Sequence, residues 1–204
     1  MSADDPDVAV FPDQPISQLL VKVASRCNID CDYCYWFRDA SVYDKPKLMS
    51  AEVLHQLLRR IEEHVTKHSL IDLPIILHGG EPLLWGVENF RRIAEACEAI
   101  SSRTGCDIPI AVATNGVLID DAWLDCFEAH NISVAISLDG PAHIHDLHRK
   151  TFQGTGTHAA AERAARMLAS RDIGMTALAV CNPAYPPNSM SSFSQDAEFP
   201  ATIS

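Results

Sequence analysis

Cys27, Cys31 and Cys34 fall within eight residues, in the stretch SRCNIDCDYCYW at positions 25–36. The spacing is three residues, then two, and there is no fourth cysteine nearby. Iron–sulfur clusters are held by thiolates from closely spaced cysteines. A four-iron cubane held by three thiolates leaves one iron open. That iron can take a small molecule through hard donors, such as an amine and a carboxylate together. The competing reading is a structural zinc held by three cysteines and a histidine. The nearest histidine, His55, lies well along the chain.

Three further groups stand out. Gly79–Gly80–Glu81–Pro82, within HGGEP at 78–82, joins two glycines to a carboxylate. Glycines let another group approach the backbone closely, and main-chain carbonyls beside Glu81 can accept hydrogen bonds from an ammonium group. An ordinary turn that starts a helix, with Pro82 in its first positions, explains the same residues. Asn115–Gly116, within TNG at 114–116, is by itself a turn signal. Ser137 and Asp139, within SLDGP at 137–141, are common turn residues and also suit ribose hydroxyls. HIHDLHRK at 143–150 brings three histidines and two cations together. Arg149 can pair with a carboxylate and His148 can act as a base, while a solvated charged face accounts for the segment equally well.

The elements that must position these groups alternate. Apolar runs at 16–25, 73–80, 108–116, 132–141 and 175–183 read as strands. Between them, Val53, Leu57, Leu58, Ile61 and Val65 recur at helical spacing after Ser50, a helix-capping residue. The stretches 87–102, 120–131 and 157–172 are also helical. Alternating strands and helices, with strands that look apolar on both faces, indicate an α/β fold with a parallel sheet covered by helices. In such folds ligands bind where the carboxyl ends of the strands form a rim. Each of the first four strands ends in one of the groups above. Segment 35–48 is a long connection without a clear element, of the kind often held by a ligand.

The chain has 204 residues and a formal net charge of −11, which argues against a nucleic-acid partner. Its start is acidic, without the apolar core of a secretory signal, and no apolar run is long enough to span a bilayer. The expected setting is cytoplasmic. Seven cysteines is an odd count that disfavours a disulfide framework. Cys97, Cys126, Cys106 and Cys181 read as structural residues, the first two on helices and the others near strand ends.

In combination, CxxxCxxC with Tyr33 before its last cysteine, GGEP, TNG and SLDGP resemble the radical S-adenosylmethionine (radical SAM) enzymes. They are most similar to the subgroup with a cysteine-rich C-terminal extension, called SPASM, which includes anaerobic sulfatase maturases and ribosomal peptide maturases. The resemblance covers roughly residues 17–183. It implies a partial (βα) TIM-like barrel, here truncated after about five βα units of the usual six. The domain organisation expected is a lead-in at 1–16, the core at 17–183 and a disordered or non-native tail at 184–204. The resemblance further implies that Cys27, Cys31 and Cys34 hold a [4Fe–4S] cluster whose open iron binds S-adenosylmethionine (SAM). Gly79, Gly80, Glu81 and Pro82 would contact the methionine amine, and Tyr33 would help seat adenine. Ser137, Asp139, Asn115 and Arg149 would hold the ribose and carboxylate end. Reductive cleavage would give methionine and a 5′-deoxyadenosyl radical that takes hydrogen from a side chain of a ribosomal precursor peptide or protein. A flavodoxin- or ferredoxin-like protein would donate the electron. An anaerobic sulfatase-maturase-like enzyme and a non-catalytic iron–sulfur binding fragment are the alternatives.

Overall fold

The computed structural model describes residues 14–37 and 40–180. The expected tail at 184–204, Cys181 and all but the end of the expected lead-in lie outside the described residues.

Among the described residues, seven strands and five α-helices form in chain order. They are β1 (Leu19–Ala24), β2 (Asp30–Cys31), α1 (Ala51–His68), β3 (Ile75–Gly79), α2 (Val87–Thr104), β4 (Ile110–Thr114), α3 (Asp121–Ala129), β5 (Ser133–Ser137), α4 (Ala142–His148), β6 (Arg149–Lys150), α5 (His158–Ser170) and β7 (Met175–Leu178). Five strands make one sheet in the order β1-β3-β4-β5-β7, with every neighbouring pair parallel. Each crossover carries a helix, as parallel pairing requires. This is the α/β architecture expected from the alternation.

Period-two burial builds the core. Val21 and Val23, Ile75 and Leu77, Ile110 and Val112, and Val134 and Ile136 point to the helical face. They pack against Ile61 and Val65 of α1, Phe90, Ile93 and Cys97 of α2, Trp123 and Phe127 of α3, and Ala164 and Leu168 of α5. Phe90 sits at the centre, with the rings of Trp123 at 4.9 Å and Trp85 at 6.0 Å. Each such fully buried side chain contributes about 1.5–3 kcal/mol. Cys97, Cys106 and Cys126 are buried, as read from the sequence. Two helix starts are capped by side chains. Ser50 accepts from Val53 N at 3.2 Å and Asp120 from Trp123 N at 3.2 Å.

Three sequence expectations change. The strands are not apolar on both faces: Lys22, His78 and Ser137 alternate with the core residues and lie on the face opposite the helices. Val53, assigned to the apolar stripe of α1, is 52% exposed. The 35–48 connection has local structure, with 3₁₀ turns at Tyr35–Phe37 and Ala40–Asp44 and a bridge from Leu48 to Ala24. No helix among the described residues is long and apolar enough to cross a membrane.

Candidate functional site

The cysteine loop leaves the end of β1 and crosses directly over the end of β3. Gly80 N donates to Ala24 O at 3.0 Å, and Glu81 N donates to Arg26 O at 2.9 Å. The glycines are needed for this seam. A Cβ on Gly79 would lie 2.1 Å from Ala24 O, and one on Gly80 would lie 2.4 Å from Arg26 O. The close neighbour they admit is therefore the protein's own loop.

Glu81 is 1% exposed, with its carboxylate turned inward. One oxygen accepts from Leu83 N at 3.0 Å and Thr114 Oγ1 at 2.7 Å, and the other accepts from Asn115 N at 2.9 Å. Glu81 thus clamps the end of β3 to the end of β4 and starts the 3₁₀ turn Pro82–Trp85, with the buried Pro82 in its first position. Burial pushes its carboxyl up to about 6, against the pull of those three donors. Asn115, held by this clamp, donates from Nδ2 to Asn28 Oδ1 at 2.8 Å and to Cys27 Sγ at 3.7 Å.

The other end of the loop is tied to the segment after β5. Cys31 pairs with Arg149 in the short antiparallel β2–β6 ladder. Arg149 grips Asp139 with two bonds, Nε to Oδ2 at 2.8 Å and Nη2 to Oδ1 at 3.2 Å. The Tyr33 hydroxyl also donates to Asp139, and Val180 N donates to it at 3.0 Å. Burial raises the Asp139 carboxyl, but the Arg149 guanidinium outweighs it and holds the group below its usual range. Burial and the bond to Asp139 keep the Tyr33 phenol protonated. Behind this pair, His145 is 1% exposed. Its Nδ1 accepts from Asp139 N at 3.3 Å and its Nε2 faces Thr157 Oγ1 at 3.0 Å. Burial and then the Arg149 charge push its imidazole down to about 4. His148 pairs with Asp32 at 2.9 Å, bringing a loop carboxylate to the rim.

All the residues singled out in the sequence therefore converge on one rim. Gly79, Gly80, Glu81, Pro82 and Asn115 lie on one side of the cysteine loop, and Tyr33, Asp139 and Arg149 on the other. Ser137 is partly exposed at the end of β5. Four contributors carried weak signals or none: Asn28, Thr114, His145 and Thr157. Asn28 and Thr157 are common surface residues by type, and nothing in local spacing marks His145 as the buried one of three histidines.

Three thiols on one short loop are the donor type an iron–sulfur cluster takes. One zinc needs its ligands about 2–2.3 Å from one point. Among the described residues no three Cys, His, Asp or Glu side chains converge that tightly. Cys31 is nonetheless close enough to Cys27 and Cys34 to feel both charges. Burial pushes Cys27 up to about 12 and Cys31 up to about 11. These thiols become thiolates only beside a strong cationic centre.

Comparison with known proteins agrees with the geometry. The family model of the radical SAM superfamily matches residues 21–191. An uncharacterized protein of Synechocystis sp. is 33% identical over 182 residues, covering 88% of this chain and 44% of that protein. The cysteine-type anaerobic sulfatase-maturating enzyme of Clostridium perfringens (strain 13 / Type A) is 31% identical over 171 residues, covering 81% of this chain and 44% of that enzyme. A solved structure of native anSMEcpe with bound AdoMet and a Cp18Cys peptide superimposes with a TM-score of 0.79 at 28% identity. It covers 91% of this chain and 49% of that one. This chain spans less than half the length of these curated relatives.

Proposed function

This chain belongs to the radical SAM superfamily, and on that premise we propose that it is the cofactor-binding core of an enzyme that abstracts hydrogen from a side chain of a ribosomal precursor peptide or protein. The family uses a [4Fe–4S] cluster and SAM. When bound, they supply a one-electron cleavage of SAM and a 5′-deoxyadenosyl radical. The observation that carries the reading is the double anchoring of the three-thiol loop, to the glycine turn through Gly80 and Glu81 and to Arg149 through Cys31.

In this reading Cys27, Cys31 and Cys34 hold the cluster. The main chain at Gly79 and Gly80 accepts from the amine of the methionine moiety. Glu81 and Pro82 support that turn from below, since the carboxylate of Glu81 is already spent on three donors. Tyr33 borders the adenine, fixed there by its bond to Asp139. Ser137 and Asn115 serve the ribose. Arg149, neutralised by Asp139, orients the loop and lends residual positive potential to the carboxylate end. His145 stays neutral and holds Asp139 from its backbone side, so no proton is exchanged with that pair. The electron comes from a flavodoxin- or ferredoxin-like partner in a cytoplasmic setting.

A peptide or protein target, common to both readings, is supported by the AdoMet- and peptide-bound anSMEcpe structure. The sulfatase-maturase names among the relatives favour a second reading, a protein Cys or Ser as the target. The test is anaerobic reconstitution, chemical reduction and measurement of 5′-deoxyadenosine. Its formation is expected, and a sulfatase peptide that then changes mass would select the second reading. A protein that binds iron yet cleaves no SAM would leave only a non-catalytic binding module.

A further inference from the structure

Lys22 stands on the sheet face opposite the helices, on the edge strand β1. Lys22 of β1 and His78 of β3 are cross-strand neighbours on that face, Lys22 exposed and His78 half-buried. The Lys22 ammonium sits 3.7 Å from the centre of the Trp36 ring, and Trp36 follows Cys34 by two residues. Lys22, Trp36 and Lys45 line a cavity of about 290 Å³ beside the edge strand β1, with Leu48, Met49 and Val53 among its walls.

The chemistry of this cavity is one-sided. The chain is strongly acidic overall, at −11, yet no Asp or Glu lines the cavity. Among the described residues neither Lys22 nor Lys45 has a carboxylate partner. The Trp36 indole N–H is buried and meets no acceptor among them. Burial and then the neighbouring Lys22 charge hold His78 below its usual range, so near neutral pH it adds a neutral ring rather than a third cation. Among the described residues, two exposed ammonium groups thus lack a carboxylate partner and a buried indole N–H lacks an acceptor. Apolar walls strengthen any charge-assisted bond formed there. Stacking on Trp36 holds the Lys22 head in place before a ligand arrives.

We propose that this cavity binds a carboxylate of the peptide substrate, with Lys22 as its principal donor and Lys45 and the Trp36 N–H as supporting ones. The inference rests on the peptide-substrate reading and narrows it to substrates with an acidic group near the modified residue. An acidic side chain and a peptide C-terminus share this chemistry. Because Trp36 follows Cys34 by two residues, the cavity is tied to the cysteine loop.

The test is calorimetric titration of the reconstituted protein with three peptides. The first is acetyl-Gly-Gly-Glu-Gly-Gly-amide, the second its Gln counterpart, and the third acetyl-pentaglycine with a free C-terminal carboxylate. At least one carboxylate peptide is expected to bind about tenfold or more tighter than the Gln control, the effect of one charge-assisted hydrogen bond. The stronger of the two identifies the source of the carboxylate. Lys22→Met should abolish the preference, Lys22→Arg should keep most of it, and Trp36→Phe, which retains the ring, should weaken it severalfold. Circular dichroism checks that the exposed Lys22 can be replaced without unfolding. Equal binding of all three peptides, or a preference that survives Lys22→Met combined with Lys45→Met, overturns the inference. Binding does not depend on SAM cleavage. A preserved preference without 5′-deoxyadenosine would therefore sink the proposed activity alone, and SAM cleavage without a preference would sink this site alone.

Discussion

Replacing Gly80 by alanine adds one methyl group at the seam between the cysteine loop and the sheet. Its Cβ would lie 2.4 Å from Arg26 O and 3.0 Å from Cys27 N, both backbone atoms that no rotamer can clear. The loop must retreat by about 1 Å to restore ordinary contact. That movement breaks or stretches two hydrogen bonds, Gly80 N to Ala24 O at 3.0 Å and Glu81 N to Arg26 O at 2.9 Å. At about 1 kcal/mol each, with about 1 kcal/mol of residual strain, the loss comes to roughly 3 kcal/mol. For a chain of this size that is a fall in Tm of roughly 6–12 °C. Unfolding should stay cooperative, because Val23, Ile75 and Leu77 below the seam keep their packing. The informative assay is iron per chain after anaerobic reconstitution, which should drop severalfold as Cys27 is displaced. Gly174→Ala is the control, since its Cβ would meet only Ser133 Cβ at 3.7 Å. It should leave iron content unchanged. A Gly80→Ala protein with full iron and an unshifted Tm would refute the view that the glycine turn exists to seat the loop.

Three further outcomes are expected. The Glu81 carboxyl titrates at about 6 in the fold, above its ordinary 4.5, so its contribution is complete below pH 4.5 and is lost as pH rises through 6. At about 1.4 kcal/mol per pH unit this amounts to about 2 kcal/mol. Denaturant titrations across that window should show the decline in the parent relative to Glu81→Gln, and parallel curves would contradict the buried-carboxylate assignment. Asp139→Asn leaves the buried Arg149 guanidinium without its counter-charge and should cost about 3–5 kcal/mol, read by urea unfolding; a loss under 1 kcal/mol would mean that the pair is solvated. Cys31→Ala should abolish cluster binding while the far-ultraviolet spectrum keeps most of its helical signal, because the β2–β6 ladder stands outside the main sheet. Equal iron in mutant and parent would count against Cys31 as a ligand.

The long helices were legible because their period repeats, and the central strands as short apolar runs between them. Ile61 and Val65 of the predicted stripe are buried in α1, whereas Leu54 is buried in place of the predicted Val53, and the alternation Val21–Val23 and Ile75–Leu77 emerges only in the structure. The convergence of the four motifs on one rim was legible from their order alone. What spacing could not convey was who occupies the gap each motif creates. The glycines at 79 and 80 admit the chain's own loop, and Arg149 meets a carboxylate supplied by Asp139. The β2–β6 ladder and α4 escaped notice because elements of two and seven residues carry too little period to register. They are fixed by pairing with residues distant in sequence, Cys31 with Arg149 above all. The polar alternation on the open sheet face was hidden by alanines at 111, 113 and 135, which read as apolar but fill little space.

The most direct measurement is iron and sulfide analysis of the anaerobically reconstituted protein, joined to electron paramagnetic resonance of its reduced form with and without SAM. A three-thiolate cubane with one open iron predicts about four irons and four sulfides per chain, and a spectrum that changes when SAM is added. A single zinc per chain, or a reduced cluster whose spectrum ignores SAM, would contradict it.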